Sequence, residues 1–227
     1  MGTFSRDVNG ISALADDLRR DLYLFVASQP EPVGREQAAR ALGVPAHQAK
    51  FHLDRLEEAG LLESEYVRLT GRSGPGAGRP AKTYHRAPDE IAVSLPDREY
   101  ALAGELMAEA IEETAGSGAP VEDALLLVAH RRGRRIGAGV ARRGRRLEVA
   151  AEAIGAFGYE PRLDGDDLVL ANCPFHALAA THGRLVCGMN RALLEGVCAE
   201  VGGLDAVLDP GEGRCCVVVK EKRGSSS

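Results

Sequence analysis

Val44–Gly60, VPAHQAKFHLDRLEEAG, is the stretch from which the rest of the chain is read. Apolar residues recur at Ala49, Leu53, Leu56 and Ala59. That spacing draws one stripe along an α-helix and leaves the opposite face to other side chains. The free face carries His47, Gln48, Lys50, Phe51 and Arg55. Gly60 stands where a helix end calls for a left-handed residue, and Leu61-Leu62 then enter a strand. Upstream, Arg35–Leu42 (REQAARAL) predicts a short helix with Ala38, Ala39 and Leu42 inward, followed by a tight turn at Gly43-Val44-Pro45. Two short helices about a glycine-containing turn make a helix-turn-helix.

Downstream, Glu63–Leu69 (ESEYVRL) alternates as a strand does, and Thr83–Arg86 (TYHR) suits its antiparallel partner. The connection TGRSGPGAGRPAK is too rich in Gly and Pro for helix or regular strand, so it reads as a wing. Between Tyr66 and Arg86 stand Arg68, Arg72, Arg79, Lys82 and Arg86 and no acid, a local excess of positive charge suited to phosphate and minor-groove contact. Any one charged residue on such a helix is as readily a solvated face. The ordered set of helix, turn, helix, strand, basic wing and strand is what points to duplex DNA. Residues 14–86, through FHLDRLEEAGLL and GRPAKTY, resemble the winged helix-turn-helix of ArsR-type bacterial repressors. That reading makes His47, Gln48, Lys50, Phe51 and Arg55 the contacts of the helix, and Arg72, Arg79 and Lys82 those of the wing. An inverted-repeat operator bound by a homodimer is the expected partner.

At 227 residues and 44% apolar composition the chain can bury one large core or two small ones. Its formal charge of −5 excludes a general polycation, so nucleic-acid binding has to rest on a local surface. No apolar run nears the ~20 residues of a membrane span, and MGTFSRDVNG lacks a signal-peptide core, so a cytoplasmic protein is expected. The expected class is α+β: a winged helix-turn-helix over residues 1–90, a linker and dimerisation helix over 91–118, and over 119–227 an α+β sensor domain with a small antiparallel sheet. Ile11–Ser28 predicts one amphipathic helix carrying Leu14, Leu18, Leu22, Phe25 and Val26 on one side. After a Pro-bounded linker, Asp97 suits the cap of a helix reaching Thr114. Residues 121–144 read as helical and contain RRGRR at Arg131–Arg135, repeated eleven residues later at Arg142–Arg146. The two clusters form one basic ridge if the helix runs through the glycines. The plainer reading pairs these arginines with the many nearby glutamates. Arg146–Phe157 predicts a further helix, and Glu160–Asn172 a hairpin turning at Asp164-Gly165-Asp166.

All five cysteines follow residue 172: Cys173, Cys187, Cys198, Cys215 and Cys216. An odd count in a cytosolic chain argues against a disulfide framework and leaves buried thiols or thiolate ligands for a soft metal. Leu185–Val201 reads as a helix, which sets Cys187 and Cys198 roughly 16 Å apart along its axis, too far to share one centre. Cys198, among apolar residues, is read as core. Cys215 and Cys216 open the strand-like CCVVVKE, where neighbours face opposite ways, so one of the two is expected at a site. Cys173, Cys187 and Cys215 or Cys216 remain, with His176 a candidate fourth ligand. No CxxC pair marks a structural zinc site. NCPFHALAATHGRLVCGMNRALLEG and PGEGRCCV resemble the C-terminal sensor of the SufR group of iron–sulfur-assembly repressors. That resemblance implies a [4Fe-4S] cluster held by Cys173, Cys187 and Cys215, with zinc, or no metal, as alternatives. A winged-helix regulator sensing a small organic ligand, its cysteines purely structural, is the competing function. No enzyme is expected, since the Cys173/His176 pair has no recognisable orienting third residue.

Overall fold

The structure is a computed structural model describing residues 2–67, 80–116, 118–141 and 143–222, with the side chains of Gly2 and Thr3 left aside. The chain divides into two compact units, residues 1–93 and 94–227, each with its own core.

The first unit runs α1 (Gly2–Ala13), α2 (Asp17–Ser28), β1 (Val33–Gly34), α3 (Arg35–Leu42), α4 (Ala46–Glu58), β2 (Leu62–Val67) and β3 (Ala81–Arg86). The expected single helix over Ile11–Ser28 is two. Asp16 caps α2 by accepting the Arg19 N–H at 2.9 Å, and its extended backbone ends the preceding helical run. The helix-turn-helix forms as expected. Ala49, Leu53 and Leu56 of α4 are fully buried beside Leu22, Val26 and Ala38. Gly43 and Gly60 take φ of +67° and +74°, left-handed turns that side chains resist. The strands form an antiparallel sheet in the order β1-β3-β2, with Ser64 opposite Tyr84.

The second unit runs α5 (Tyr100–Thr114), α6 (Val121–Ala138), α7 (Arg146–Gly155), β4 (Pro161–Asp164), β5 (Asp167–Leu170), α8 (His176–Val201), β6 (Leu204–Leu208) and β7 (Val217–Glu221). Its antiparallel sheet has the order β4-β5-β7-β6, and the expected hairpin turns at Gly165 with φ +60°. Mixed helix with two small antiparallel sheets is the α+β class expected. Asp97 does not cap α5, which begins only at Tyr100, because the Glu99 N–H is taken by the Pro174 carbonyl at 3.1 Å. Leu102, Ala103, Leu106 and Ala110 of α5 are buried in this unit's core.

Helix α6 stops at Ala138, so the two RRGRR segments share no helix and no continuous ridge; Arg142 lies outside the described residues. Three arginines of the first cluster are instead paired: Arg131 with Glu109 and Glu113, Arg132 with Glu105, and Arg134 with Glu200. Helix α8 starts nine residues earlier than the sequence suggested, with a break in helical geometry at His182 (φ −127°, ψ 42°). Gly133 of α6 faces Gly196 of α8 and Gly137 faces Val197 and Glu200, and a Cβ at Gly133 would overlap the Leu193 carbonyl. Only glycine lets these two backbones approach so closely.

Candidate functional site

Two constellations stand out, one in each unit. In the first, α4 turns Ala49, Leu53 and Leu56 inward and thereby sends His47, Lys50, Phe51 and Arg55 to solvent, with Gln48 half-buried at the flank. Phe51 is 56% exposed. The Arg55 guanidinium lies over its ring, 5.5 Å from the centroid, and His52 meets it edge-on at 5.2 Å. Arg55 also pairs with Glu58 at 2.8 Å. His52 itself is tucked back, its Nδ1 3.8 Å from Asp16.

Lys82 was expected to meet phosphate in the wing. Its ammonium is engaged within the unit: Nζ lies 2.9 Å from Asp54 and 2.5 Å from Glu57, both on α4. Tyr84 Oη donates to Asp54 at 2.7 Å, Lys50 Nζ reaches Asp54 at 2.7 Å, and Ser64 Oγ donates to Glu57 at 2.5 Å. Burial pushes the Asp54 carboxyl up, but the donors Lys50, Lys82 and Tyr84 outweigh it and hold the group well below the usual carboxylate range. Burial likewise pulls Lys82 down, and the bonds to Glu57 and Asp54 carry it above the usual lysine range. This network clamps the root of the wing to the flank of α4. Sequence reasoning missed Asp54, Glu57 and Tyr84 as its members. The available signal was the pair Lys82 and Tyr84, two apart on a strand and so on one face. Arg72 and Arg79, the other wing contacts expected, lie outside the described residues, as does Arg68.

In the second unit four thiols gather from three parts of the chain: Cys173 after β5, Cys187 on α8, and Cys215-Cys216 just ahead of β7. Cys215 interacts with Cys173 and Cys216, and Cys216 with Cys187. The expectation that strand alternation would separate Cys215 from Cys216 does not apply, because the chain bends at Cys216 and β7 begins at Val217. Cys215 is buried, and Cys173, Cys187 and Cys216 are partly so. Asn190 Nδ2 donates to Cys215 Sγ at 3.2 Å, while its Oδ1 accepts from Tyr159 Oη at 2.5 Å. Both Asn190 and Tyr159 are 1% exposed, so both ends of this buried amide are partnered. The neighbouring Cys173 and Cys216 thiols and this amide lower the Cys215 thiol against the effect of burial. Cys173 and Cys216 are correspondingly raised, first by their hydrogen bonds to Cys215, then by burial, and further by the negative charge on Cys215.

The loop bearing Cys173 is held from several sides. Asn172 Nδ2 donates to the Asp97 and Gly158 carbonyls at 2.9 and 2.5 Å, and Arg98 donates to Asn172 Oδ1 and the Cys173 carbonyl at 2.6 and 2.8 Å. His176, the candidate fourth ligand, is exposed at the first position of α8, where its backbone N–H bonds to the Cys173 carbonyl. Cys198 is 3% exposed, and burial pushes its thiol up to about 12. Among the described residues no group of three or more His, Cys, Asp or Glu side chains is arranged to hold a metal ion.

Residues 14–65 match the family model of a helix-turn-helix domain, of the ArsR-like winged kind. No curated protein and no solved structure matches the chain. Matched segment and fold together define the class: the chain carries the DNA-binding domain of a transcriptional regulator. Among the described residues no helix is long and apolar enough to cross a membrane.

Proposed function

We propose that this regulator binds an inverted repeat as a homodimer and that its second unit senses an iron–sulfur cluster or soft metal through cysteine thiolates. The observation that carries the reading is the gathering of Cys173, Cys187, Cys215 and Cys216 from three separate chain segments. The donor chemistry fits. Thiolates are the ligands of iron–sulfur clusters, and a buried amide N–H beside one of them is the kind of neighbour that tunes such a centre. Cys173, Cys187 and Cys215 would hold the cluster, with His176 or Cys216 at the remaining position. A bound cluster would make occupancy of the site responsive to oxidant and to iron supply. The chain's own part is transmission. Arg98 and Glu99, which bond to the Cys173 loop and to Pro174, come directly after the stretch joining the two units in sequence. A coupling of ~1–3 kcal/mol between site and DNA affinity suffices for a 5- to 150-fold switch.

The second reading, an organic effector with structural cysteines, is favoured by the lack of a metal-ion arrangement among the described residues. Iron, sulfide and zinc analysis of anaerobically purified protein separates the two. With a cluster, Cys173→Ser and Cys187→Ser each lose most of the iron, because a hydroxyl replaces a thiolate poorly, and Cys198→Ser keeps it. No metal in the wild type, or equal iron in wild type and Cys173→Ser, sinks the cluster reading.

A further inference from the structure

The face of α4 that points away from the core is an unusual mixture. At about 100° per residue, Phe51 lies almost directly opposite the buried line of Ala49, Leu53 and Leu56, in one row with His47 a turn before it and Arg55 a turn after it. Phe51 puts an aromatic ring at the centre of this face and is 56% exposed. The N-terminal half of the face carries His47, Gln48 and Lys50. Toward the C-terminal end the acids Asp54 and Glu58 are paired with Lys50 and Arg55. The N-terminal half of a recognition helix is the part that meets base edges. The ring is also oriented. Arg55 stacks over one side at 5.5 Å and is itself anchored to Glu58, and His52 closes from the edge.

We propose that Phe51 reads the C5-methyl group of a thymine in the major groove, so that each half-site carries one thymine recognised by apolar contact. In the major groove that methyl is the one apolar feature distinguishing thymine from the other natural bases, and an aromatic side chain is among the groups that contact it. The inference rests on α4 being the DNA-reading helix and assigns its central residue a base.

Removal of that methyl alone is the test. Duplexes recovered from a random pool by the full-length protein are resynthesised with deoxyuridine in place of thymidine, one position at a time, and their affinities measured. The wild type binds about fourfold more weakly at one thymine per half-site, roughly what keeping one methyl group out of water is worth. Phe51→Ala binds the thymine and uracil duplexes alike, and Phe51→Leu, still apolar, retains part of the discrimination. Equal affinity of the wild type for every uracil duplex overturns the proposal and leaves DNA binding intact. So does an undiminished uracil penalty in Phe51→Ala. A change of oligomeric state in Phe51→Ala assigns the ring to a protein contact instead. Recovery of no duplex at all overturns both this proposal and the DNA-reading role of α4.

Discussion

Asp54 has the most to do of any residue on the outer side of α4. It accepts from Lys50, Lys82 and Tyr84, and so joins the helix to the strand that leads out of the wing. Hydrogen bonds to a charged partner contribute about 1.5–3 kcal/mol each where solvent is partly excluded, and the Asp54 side chain is 27% exposed. Asp54→Asn is expected to destabilise the first unit by roughly 1–3 kcal/mol at neutral pH. The pH dependence has a definite sign. The folded carboxyl titrates below its unfolded value of 3.8, so its contribution is complete above that pH and drains away as pH falls through the acid range. Urea unfolding from pH 7 to pH 2 should show wild type and Asp54→Asn converging at the acid end; a constant gap would mean that the ionised form is not what matters. Asn190 shows the same economy inside the second unit, where one buried amide is used at both ends, toward Tyr159 and toward Cys215.

At the scale of elements, the contact of α6 with α8 sets the second unit, since α8 carries both Cys187 and Asn190. Gly133 and Gly196 meet where a Cβ on either would collide with the other helix's backbone, at the carbonyls of Leu193 and His130. Backbone cannot step aside as a flexible side chain can. Gly133→Ala and Gly196→Ala are therefore each expected to cost roughly 1–3 kcal/mol or more, and to disturb the thiols through α8. Gly183, also in α8, has nothing within 4 Å of its would-be Cβ. Gly183→Ala should be neutral or stabilising by up to about 1 kcal/mol. Thermal unfolding of the three variants checks the contrast, and equal behaviour would show that the close approach is not maintained. The arginines flanking Gly133 have a correspondingly local role: Arg131, Arg132 and Arg134 find glutamates on α5 and α8. Exposed pairs of this kind add little individually, about 0–1 kcal/mol.

For the whole molecule, the expected readout is symmetry. Two copies of α4 presented by a homodimer should protect an inverted repeat with half-sites one helical turn, ~34 Å, apart. Footprinting together with sedimentation checks this, and a monomer at micromolar concentration occupying a single half-site would overturn it. Much of this protein was legible in its residue order. The 3.6-residue stripe of Ala49, Leu53 and Leu56, the glycine at 60 and the strands either side of the wing are local patterns, because helix, cap and strand are decided by neighbours within a few positions. For the same reason Asp16 was legible in principle: a side chain that satisfies a helix's first N–H groups starts a new helix there, as it does at α2. The tertiary structure alone decided what depends on residues far apart in the chain. Lys82 is taken up by acids 25 and 28 residues before it. Asn172 is held by Asp97, and Cys215 meets Asn190 and Cys173 across intervening helix and loop. A sequence lists the thiols and their spacing, but whether four of them converge is set by how α8 and the segment before β7 pack, and packing is long-range.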